Sequence, residues 1–389
     1  MAFWNDYVVN LGVSKMEFVR DVEKNSVSLR LRKAFTDAEI ASHTVLTDDV
    51  FSYVDFYFKT HKKTLREASG KPLEANHIYY WQQARNFYNA AKILPIDASP
   101  LPMYYCMLNA TKAFLFYSAI KYDDIKDALG RHGLHECQSE SEVHILNLDS
   151  IYVQRDNRGV FPQFARMLHP DFATLWPTNR DGSVSLKQLL YHLPFVHSSY
   201  ISTYGIARRD EKFVPLKANT SPRFMYSKDN KIRLVVDLDR NYFKQNATTI
   251  PDDVKCNISD SLMVNDKDKN KEHFQLVSSG CYKKKEIQTV YNMFRRDFSY
   301  IAGDKRIWYL KKKKMGESDI ENINSMVLEI AAVHRFSEIV RYKPEQMIKL
   351  LNGKENWIIH EFLSMVLDQF MDEITCEITK QEIMPTRIK

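Results

Sequence analysis

The stretch from Trp81 to Leu134 constrains the fold of this 389-residue chain more than any other segment. Its apolar residues recur every three or four positions, a spacing that puts them on one face of an α-helix. We predict one helix from about Ile78 to Leu94. A second should run from Pro100 to about Lys121, because Ser99-Pro100 is a typical helix start. The second helix carries small residues that would let a neighbouring helix approach closely: Cys106, Ala110, Ala113 and Ser118.

A short third helix is predicted from Asp123 or Asp124 to Gly130, where glycine favours termination. Arg131 and His132 follow directly, so a guanidinium and an imidazole lie just beyond a helix end. The pKa of imidazole lies near neutrality, which suits proton transfer. An equally simple interpretation is that these side chains complement the helix dipole and bond loop carbonyls.

The candidate catalytic residues are therefore those of this turn and one residue of a later helix: Arg131, His132, His135 and Arg341. His334 and Arg341 are seven residues apart, about two helical turns, and so share a helix face that could line a phosphate-binding cleft. The spacing of His132, His135, Cys137 and His144 matches no usual zinc pattern. We therefore predict neither a metal site nor a cofactor.

The chain divides into four segments by pattern. Residues 1–75 suggest an N-terminal helical segment, and 76–206 the first part of a helical core. From 207 to 315 the apolar period changes to two, as in KIRLVVDLD, and turn-rich segments intervene, which predicts a β-rich basic insertion. Residues 316–389 return to helical periodicity, with a capping box predicted at Ser318 and Glu321. The expected fold is mainly α (α+β), a helical-bundle core with an antiparallel β-rich insertion.

The composition is that of a globular protein, with 44% hydrophobic and 27% charged residues. Five cysteines without a CxxC pair are typical of reduced thiols rather than of a disulfide framework. The sequence has neither a signal-peptide pattern at its start nor an uninterrupted apolar stretch long enough to span a bilayer. We therefore expect a cytoplasmic protein without a membrane partner.

The net charge of +6 is concentrated in one segment. Between Tyr282 and Lys314, eleven Lys/Arg residues face three acids, so the remainder of the chain is slightly acidic. Lysine and arginine neutralise phosphates, and interleaved aromatic rings can stack on unpaired bases. The alternative is a strand with a solvated lysine edge. The candidate nucleic-acid-binding residues are Arg295, Arg296, Lys305, Arg306, Lys311, Lys312, Lys313 and Lys314.

Four motifs together resemble the YaaC-like family of bacterial proteins. They are WQQARNFYNAAKILPIDASPLPMYYCMLNATKAFL, the later GRHGL, GVF at 159–161 and VHRFSEIVRYKP near the C-terminus. The resemblance extends mainly over 78–206 and 320–375.

The run YYCMLNATKAFL followed by a histidine-glycine turn also looks like the HEPN helical domains. That resemblance implies an HEPN-like core, and either metal-independent ribonuclease activity or RNA binding in antiviral (phage) defence, with self-association. HEPN ribonucleases carry Arg-x4-6-His, a spacing that this chain lacks. The function expected is binding of RNA or single-stranded DNA, with RNA cleavage as a further possibility. The alternative is a non-enzymatic module that docks a partner protein or a second copy.

Overall fold

The computed structural model describes residues 16–63, 76–119, 125, 130–137, 146–176, 182–243, 249–265, 273–303, 307–313 and 319–386. Their buried apolar side chains form two clusters. One is built mainly by helices and the other mainly by strands. Within these ranges, no helix combines the length and apolar character needed to cross a membrane. All five cysteines are free thiols.

Twelve α-helices lie in the described ranges. They are α1 (Val50–Thr60), α2 (Asn76–Ile93), α3 (Pro100–Ser118), α4 (Val160–Leu168), α5 (Phe172–Leu175), α6 (Leu186–Tyr191), α7 (His197–Tyr204), α8 (Asp252–Lys255), α9 (Ile287–Arg295), α10 (Ser325–Tyr342), α11 (Pro344–Leu351) and α12 (Asn356–Thr379).

Fifteen strands accompany them in the same ranges. They are β1 (Phe18–Asp21), β2 (Glu23–Lys24), β3 (Val27–Ser28), β4 (Val45–Leu46), β5 (Leu134–Glu136), β6 (Tyr152–Arg155), β7 (Ser183–Ser185), β8 (Phe213–Pro215), β9 (Arg223–Ser227), β10 (Ile232–Asp239), β11 (Leu262–Val264), β12 (His273–Ser278), β13 (Phe298–Ile301), β14 (Ile307–Lys311) and β15 (Ile383–Met384).

Helix α3 is the centre of the helical cluster. Helices α2, α10 and α12 all pack against it. Cys106, Ala110 and Ala113 of α3 are completely buried, and their short side chains allow the neighbouring backbones to approach closely. Each fully buried Leu, Ile or Phe in such a core contributes about 1.5–3 kcal/mol of transfer free energy. The helical packing predicted from the sequence is therefore present, with α2 and α3 close to their predicted bounds.

The β-rich part contains a five-stranded antiparallel sheet in the order β1-β9-β10-β12-β11, and a three-stranded one in the order β13-β14-β8. Alternation along β10 buries Ile232, Leu234, Val236 and Leu238 in the second cluster. Asp237, on the opposite face, is also buried, because Arg223 and Gln275 bind its carboxylate. The segment from 213 to 310 supplies most of this cluster, but residues 22–40 from the N-terminal part join it.

Two local predictions differ from the structure. Residues 16–46 were expected to be helical, yet they form β1 to β4, because their apolar residues complete the β-rich cluster. Helix α10 begins at Ser325, where the Asn324 side chain accepts from the backbone N–H of Met326, and so later than expected; Ser318 of the expected capping box lies outside the described residues. Most of the predicted third helix before Gly130 falls outside the described residues.

Candidate functional site

The Arg131-His132-Gly133 turn is held against the N-terminus of α4. The backbone N–H of Val160 donates to the carbonyl of Arg131, and that of Phe161 donates to the carbonyl of His132, both at 3.0 Å. Gly133 (φ +86°) and Gly159 (φ +128°) both adopt backbone conformations that favour glycine. These contacts join the GRHGL and GVF motifs and fix the direction in which Arg131 and His132 project.

A cleft of about 420 Å³ opens between this turn and helices α3 and α10. The turn supplies Arg131 and His132, and the last helical turn of α10 supplies Arg341. Three of the four candidate catalytic residues therefore meet in one cavity. The remaining lining comprises Leu101, Tyr104, Tyr105, Gly133, Leu134, Asp156, His334, Ser337, Glu338 and Tyr342.

The imidazole of His132 lies on the exposed side of the cleft, with its centroid 5.5 Å from the ring of Tyr104. Its pKa is lowered from the usual 6.5 by partial desolvation and then by the positive charges of Lys112 and Arg341. A lowered pKa leaves the imidazole neutral near pH 7, the form able to accept a proton.

His334 forms the floor of the cleft beneath Tyr104, whose ring centroid is 4.9 Å away. It is buried, and burial, followed by the charges of His132, Arg335 and His135, lowers its pKa to about 3. Its Nδ1 lies 3.6 Å from Oε2 of Glu338, beyond hydrogen-bond distance. His334 is therefore a neutral group in the wall and not a proton donor near pH 7.

The two acids of the cleft lining already lie close to basic side chains. Glu338 lies 3.4 Å from Nη1 of Arg335, and Asp156 lies 3.4 Å from Nδ1 of His135. Among the described residues, neither Arg131 nor Arg341 forms an ion pair. The guanidinium of Arg341 lies over the ring of Tyr342, 4.9 Å from its centroid. Two guanidiniums thus remain available for an anion in the cleft.

His135 is beside the cleft rather than in its lining. It belongs to β5 and reaches the cavity through its contact with Asp156. The sequence grouped His135 with His132, but Leu134 of β5 lines the cleft, and strand geometry directs the next side chain, His135, to the opposite face. His135 is therefore placed to influence Asp156 instead of a ligand.

The predicted nucleic-acid surface is not a continuous exposed surface. Arg295 is buried, and its guanidinium donates to the backbone carbonyls of Arg32, Lys33 and Phe298. Lys312 is also buried, with Nζ 2.9 Å from the carbonyl of Arg209. These cations link parts of the fold, so the expectation that they contact a phosphate backbone is not met.

The other residues of that run divide into three groups. Lys311 is buried. Arg296 and Lys313 are partly exposed but lie near acids, at 3.6 Å from Asp171 and 3.3 Å from Asp297 respectively. Lys305, Arg306 and Lys314 fall outside the described residues. The exposed lysines near this run are Lys283 to Lys285, which the sequence interpretation did not select although they form a KKK triplet.

Two buried glutamates were not identified from the sequence. Glu329 of α10 and Glu373 of α12 are 0% and 4% exposed. Ser325 and Gln369 donate to Glu373, whereas neither carboxyl oxygen of Glu329 has a hydrogen-bond partner in the described residues. Burial raises the pKa of both carboxyls, that of Glu373 to about 7. A Glu residue in a helical apolar run could have signalled this pair.

No group of three or more metal-ligating side chains occurs in the part of the chain that the structure describes. The fold and the cleft together define a mixed helical and β-sheet protein with an arginine–histidine cleft built within one chain.

The chain belongs to the YaaC-like protein family, whose model matches residues 49–378. That range contains the complete cleft. No curated protein and no solved structure matches the chain.

Proposed function

We propose that the cleft binds a phosphodiester of RNA and that His132 supports its metal-independent cleavage. The observation that carries the proposal is that Arg341, distant in sequence from the adjacent Arg131 and His132, meets them around one cavity. Guanidiniums match phosphate oxygens in geometry and charge. A neutral imidazole in the same cavity as two such cations is a combination suited to proton transfer next to a phosphate.

In the proposed reaction, Nε2 or Nδ1 of His132 takes the proton of a ribose 2′-hydroxyl. The 2′-oxygen attacks the adjacent phosphorus, and the bond from phosphorus to the 5′-oxygen breaks. The products are a 2′,3′-cyclic phosphate and a 5′-hydroxyl, which receives its proton from the imidazolium. Arg131 and Arg341 stabilise the charge that develops on the phosphoryl oxygens. The reaction as written requires no oxidant, reductant or external cofactor.

The proposal includes an HEPN-like relation for the helices around α3. Its support is the packing of α2, α10 and α12 against α3, next to a histidine-containing turn. In HEPN ribonucleases each subunit contributes an arginine and a histidine across a dimer. Here both arginines and the histidine lie in one chain, so the proposed site requires no second subunit. Defence against phage is the biological role that we attach to this activity.

RNA cleavage by the full chain in excess EDTA tests the proposal. We expect the wild type to cleave single-stranded RNA and leave cyclic phosphate ends. His132→Gln should lower the cleavage rate by about 10²–10⁴-fold while RNA affinity changes little, because only proton transfer is removed. Arg131→Met and Arg341→Met should each weaken binding and reduce the dependence of affinity on salt by about one phosphate contact.

Arg209→Met is the matched control, because Arg209 is a mostly exposed arginine outside the cleft lining. It should cleave and bind as the wild type does. If the wild type neither cleaves RNA nor binds it in a salt-dependent way, the proposal is wrong. A stable complex with another protein, free of nucleic acid, would then favour the docking-module alternative.

A further inference from the structure

A second polar cavity lies in the N-terminal part of the chain, outside the residues that the family model matches. It measures about 340 Å³. The β2–β3 hairpin, the segment after it and the segment before β4 form its walls. The lining residues are Glu23, Ser26, Val27, Ser28, Arg30, Arg32, Ser42, His43 and Thr44.

Arg32 is the central residue of this cavity. It is 5% exposed, and its Nη2 donates to the carbonyls of Ser42 at 3.0 Å and Ile40 at 3.4 Å. Its Nη1 lies 3.5 Å from the carboxylate of Glu382. The Nε–H has no acceptor among the described residues. That nitrogen is enclosed by protein atoms, so Arg32 contributes its positive charge to the cavity rather than a free N–H.

A second guanidinium, that of Arg30, adds positive charge to this cavity. Desolvation, followed by the charge of nearby Arg30, lowers the pKa of Arg32. Arg30 is exposed, and no ion pair with it occurs in the described ranges. Two arginines in one cavity, one of them held rigidly by backbone carbonyls, favour an anion between them.

The remaining lining is rich in hydroxyl groups. Ser28 and Ser42 already donate their hydroxyl protons, to Asp21 and to the carbonyl of Glu39. Ser26 and Thr44 lie in the lining, as does the exposed imidazole of His43. Glu23 is the one acid of the lining. Several donors around two guanidiniums suit a ligand with three or four oxygen acceptors better than a carboxylate with two.

We propose that this cavity is a binding site for a phosphate group, held by the guanidinium of Arg30 and attracted by the positive charge of Arg32 in the cavity wall. The group is either free inorganic phosphate or the phosphate of a small ester. The site is independent of the arginine–histidine cleft, because the two cavities share no residue.

Isothermal titration of the full chain with inorganic phosphate, at constant ionic strength set by sodium chloride, tests this site. We expect the dissociation constant to rise at least tenfold in Arg30→Met, which removes an exposed charge, and to stay unchanged in Arg209→Met. Titrating Arg131→Met/Arg341→Met, whose cleft lacks both guanidiniums, should still show binding. Equal binding by the wild type and Arg30→Met, or no binding beyond that of chloride, would overturn the proposal.

Glycerol 3-phosphate distinguishes the two sources of the phosphate group. If glycerol 3-phosphate binds more tightly than inorganic phosphate and its affinity falls to the same extent in Arg30→Met, the natural ligand is a phosphate ester. If glycerol 3-phosphate binds equally or more weakly, again with loss of binding in Arg30→Met, the natural ligand is free inorganic phosphate. Failure of RNA cleavage leaves these results unaffected, since the titration does not involve RNA or His132.

Discussion

Gly159 lies against Gly133 so closely that a Cβ atom at position 159 would be 2.7 Å from both the Cα and the N of Gly133. It would also lie 3.0 Å from the carbonyl oxygen of Arg131, which accepts from Val160. The contact therefore fixes the turn that carries Arg131 and His132. Each residue is glycine for two reasons, its positive φ and the lack of space for a side chain.

Gly159→Ala should displace the turn and lower the free energy of unfolding by about 1–3 kcal/mol, as strained backbone positions do. Gly130→Ala is the control, because a Cβ there meets no atom within 4 Å. Urea unfolding compares the two variants, and RNA binding should weaken in Gly159→Ala alone. Equal stability of both variants would contradict a tight glycine contact.

Acid should destabilise the protein through two buried histidines. The pKa of His169 and that of His334 are both about 3 in the folded chain, mainly because burial disfavours the charged imidazole. The unfolded chain binds these protons near pH 6.5, so stability is retained above that pH. It is lost as the pH falls towards 3, by about 1.4 kcal/mol per pH unit for each histidine.

Urea unfolding of His334→Gln against the wild type between pH 7 and pH 5 checks this expectation. The wild type should lose about 2 kcal/mol more than the variant at pH 5, because the variant has one fewer histidine to protonate on unfolding. His61→Gln, at an exposed position, is the control. An identical pH dependence of wild type and His334→Gln would refute the assignment.

The two buried glutamates, Glu329 and Glu373, should make the protein less stable as the pH rises, which is opposite to the effect of the histidines. Burial raises the pKa of both carboxyls, that of Glu373 to about 7, and the charge of Glu373 raises the pKa of Glu329 further. The unfolded chain releases these protons near pH 4.5, whereas the folded chain retains them. Stability is therefore present below pH 4.5 and falls as the pH rises through 7.

Glu329→Gln keeps the shape of the neutral acid and removes its ionisation. Its stability relative to the wild type should increase between pH 5 and pH 8, measured by chemical unfolding at each pH. Glu39→Gln, at an exposed position, should show no such trend. A constant difference across this range would mean that folding does not raise the pKa of Glu329.

Arg295 should be important for stability rather than for nucleic-acid contact. Arg295→Met leaves the carbonyls of Arg32, Lys33 and Phe298 without their donor, and should cost about 2–4 kcal/mol of unfolding free energy. Lys313→Ala, at a partly exposed residue, should cost less than about 1 kcal/mol. Thermal unfolding ranks the two variants, and the reverse order would show that the hydrogen bonds of Arg295 contribute little to stability.

The segments that were predicted well have strong local signals. The periodicity from Ile78 and the Ser99-Pro100 start located α2 and α3, and the alternation in KIRLVVDLD located β10. The prediction failed for residues 16–46, where weak periodicity was interpreted as helix. There β1 pairs with β9 from a distant part of the chain, and that partner determines the conformation.

The candidate site was predicted in part. Sequence reasoning selected Arg131, His132 and Arg341, and the structure brings them into one cleft. It also selected Arg295 and Lys312 for their charge, and these are buried. The charge of a residue does not predict its exposure, because a cation can be buried when backbone carbonyls accept its hydrogen bonds.

The sequence by itself determined the central helices, the main β-strand alternation and the residue types of the RHG turn, because these follow from local periodicity and helix-end chemistry. Tertiary structure alone decided which cations face a cavity and which link the fold. It also decided that Glu329 lies in the core without a hydrogen-bond partner among the described residues. Those outcomes depend on contacts between residues far apart in the chain, such as Gly133 with Gly159. Contacts of this kind produce no periodic pattern in the sequence from which they could be predicted.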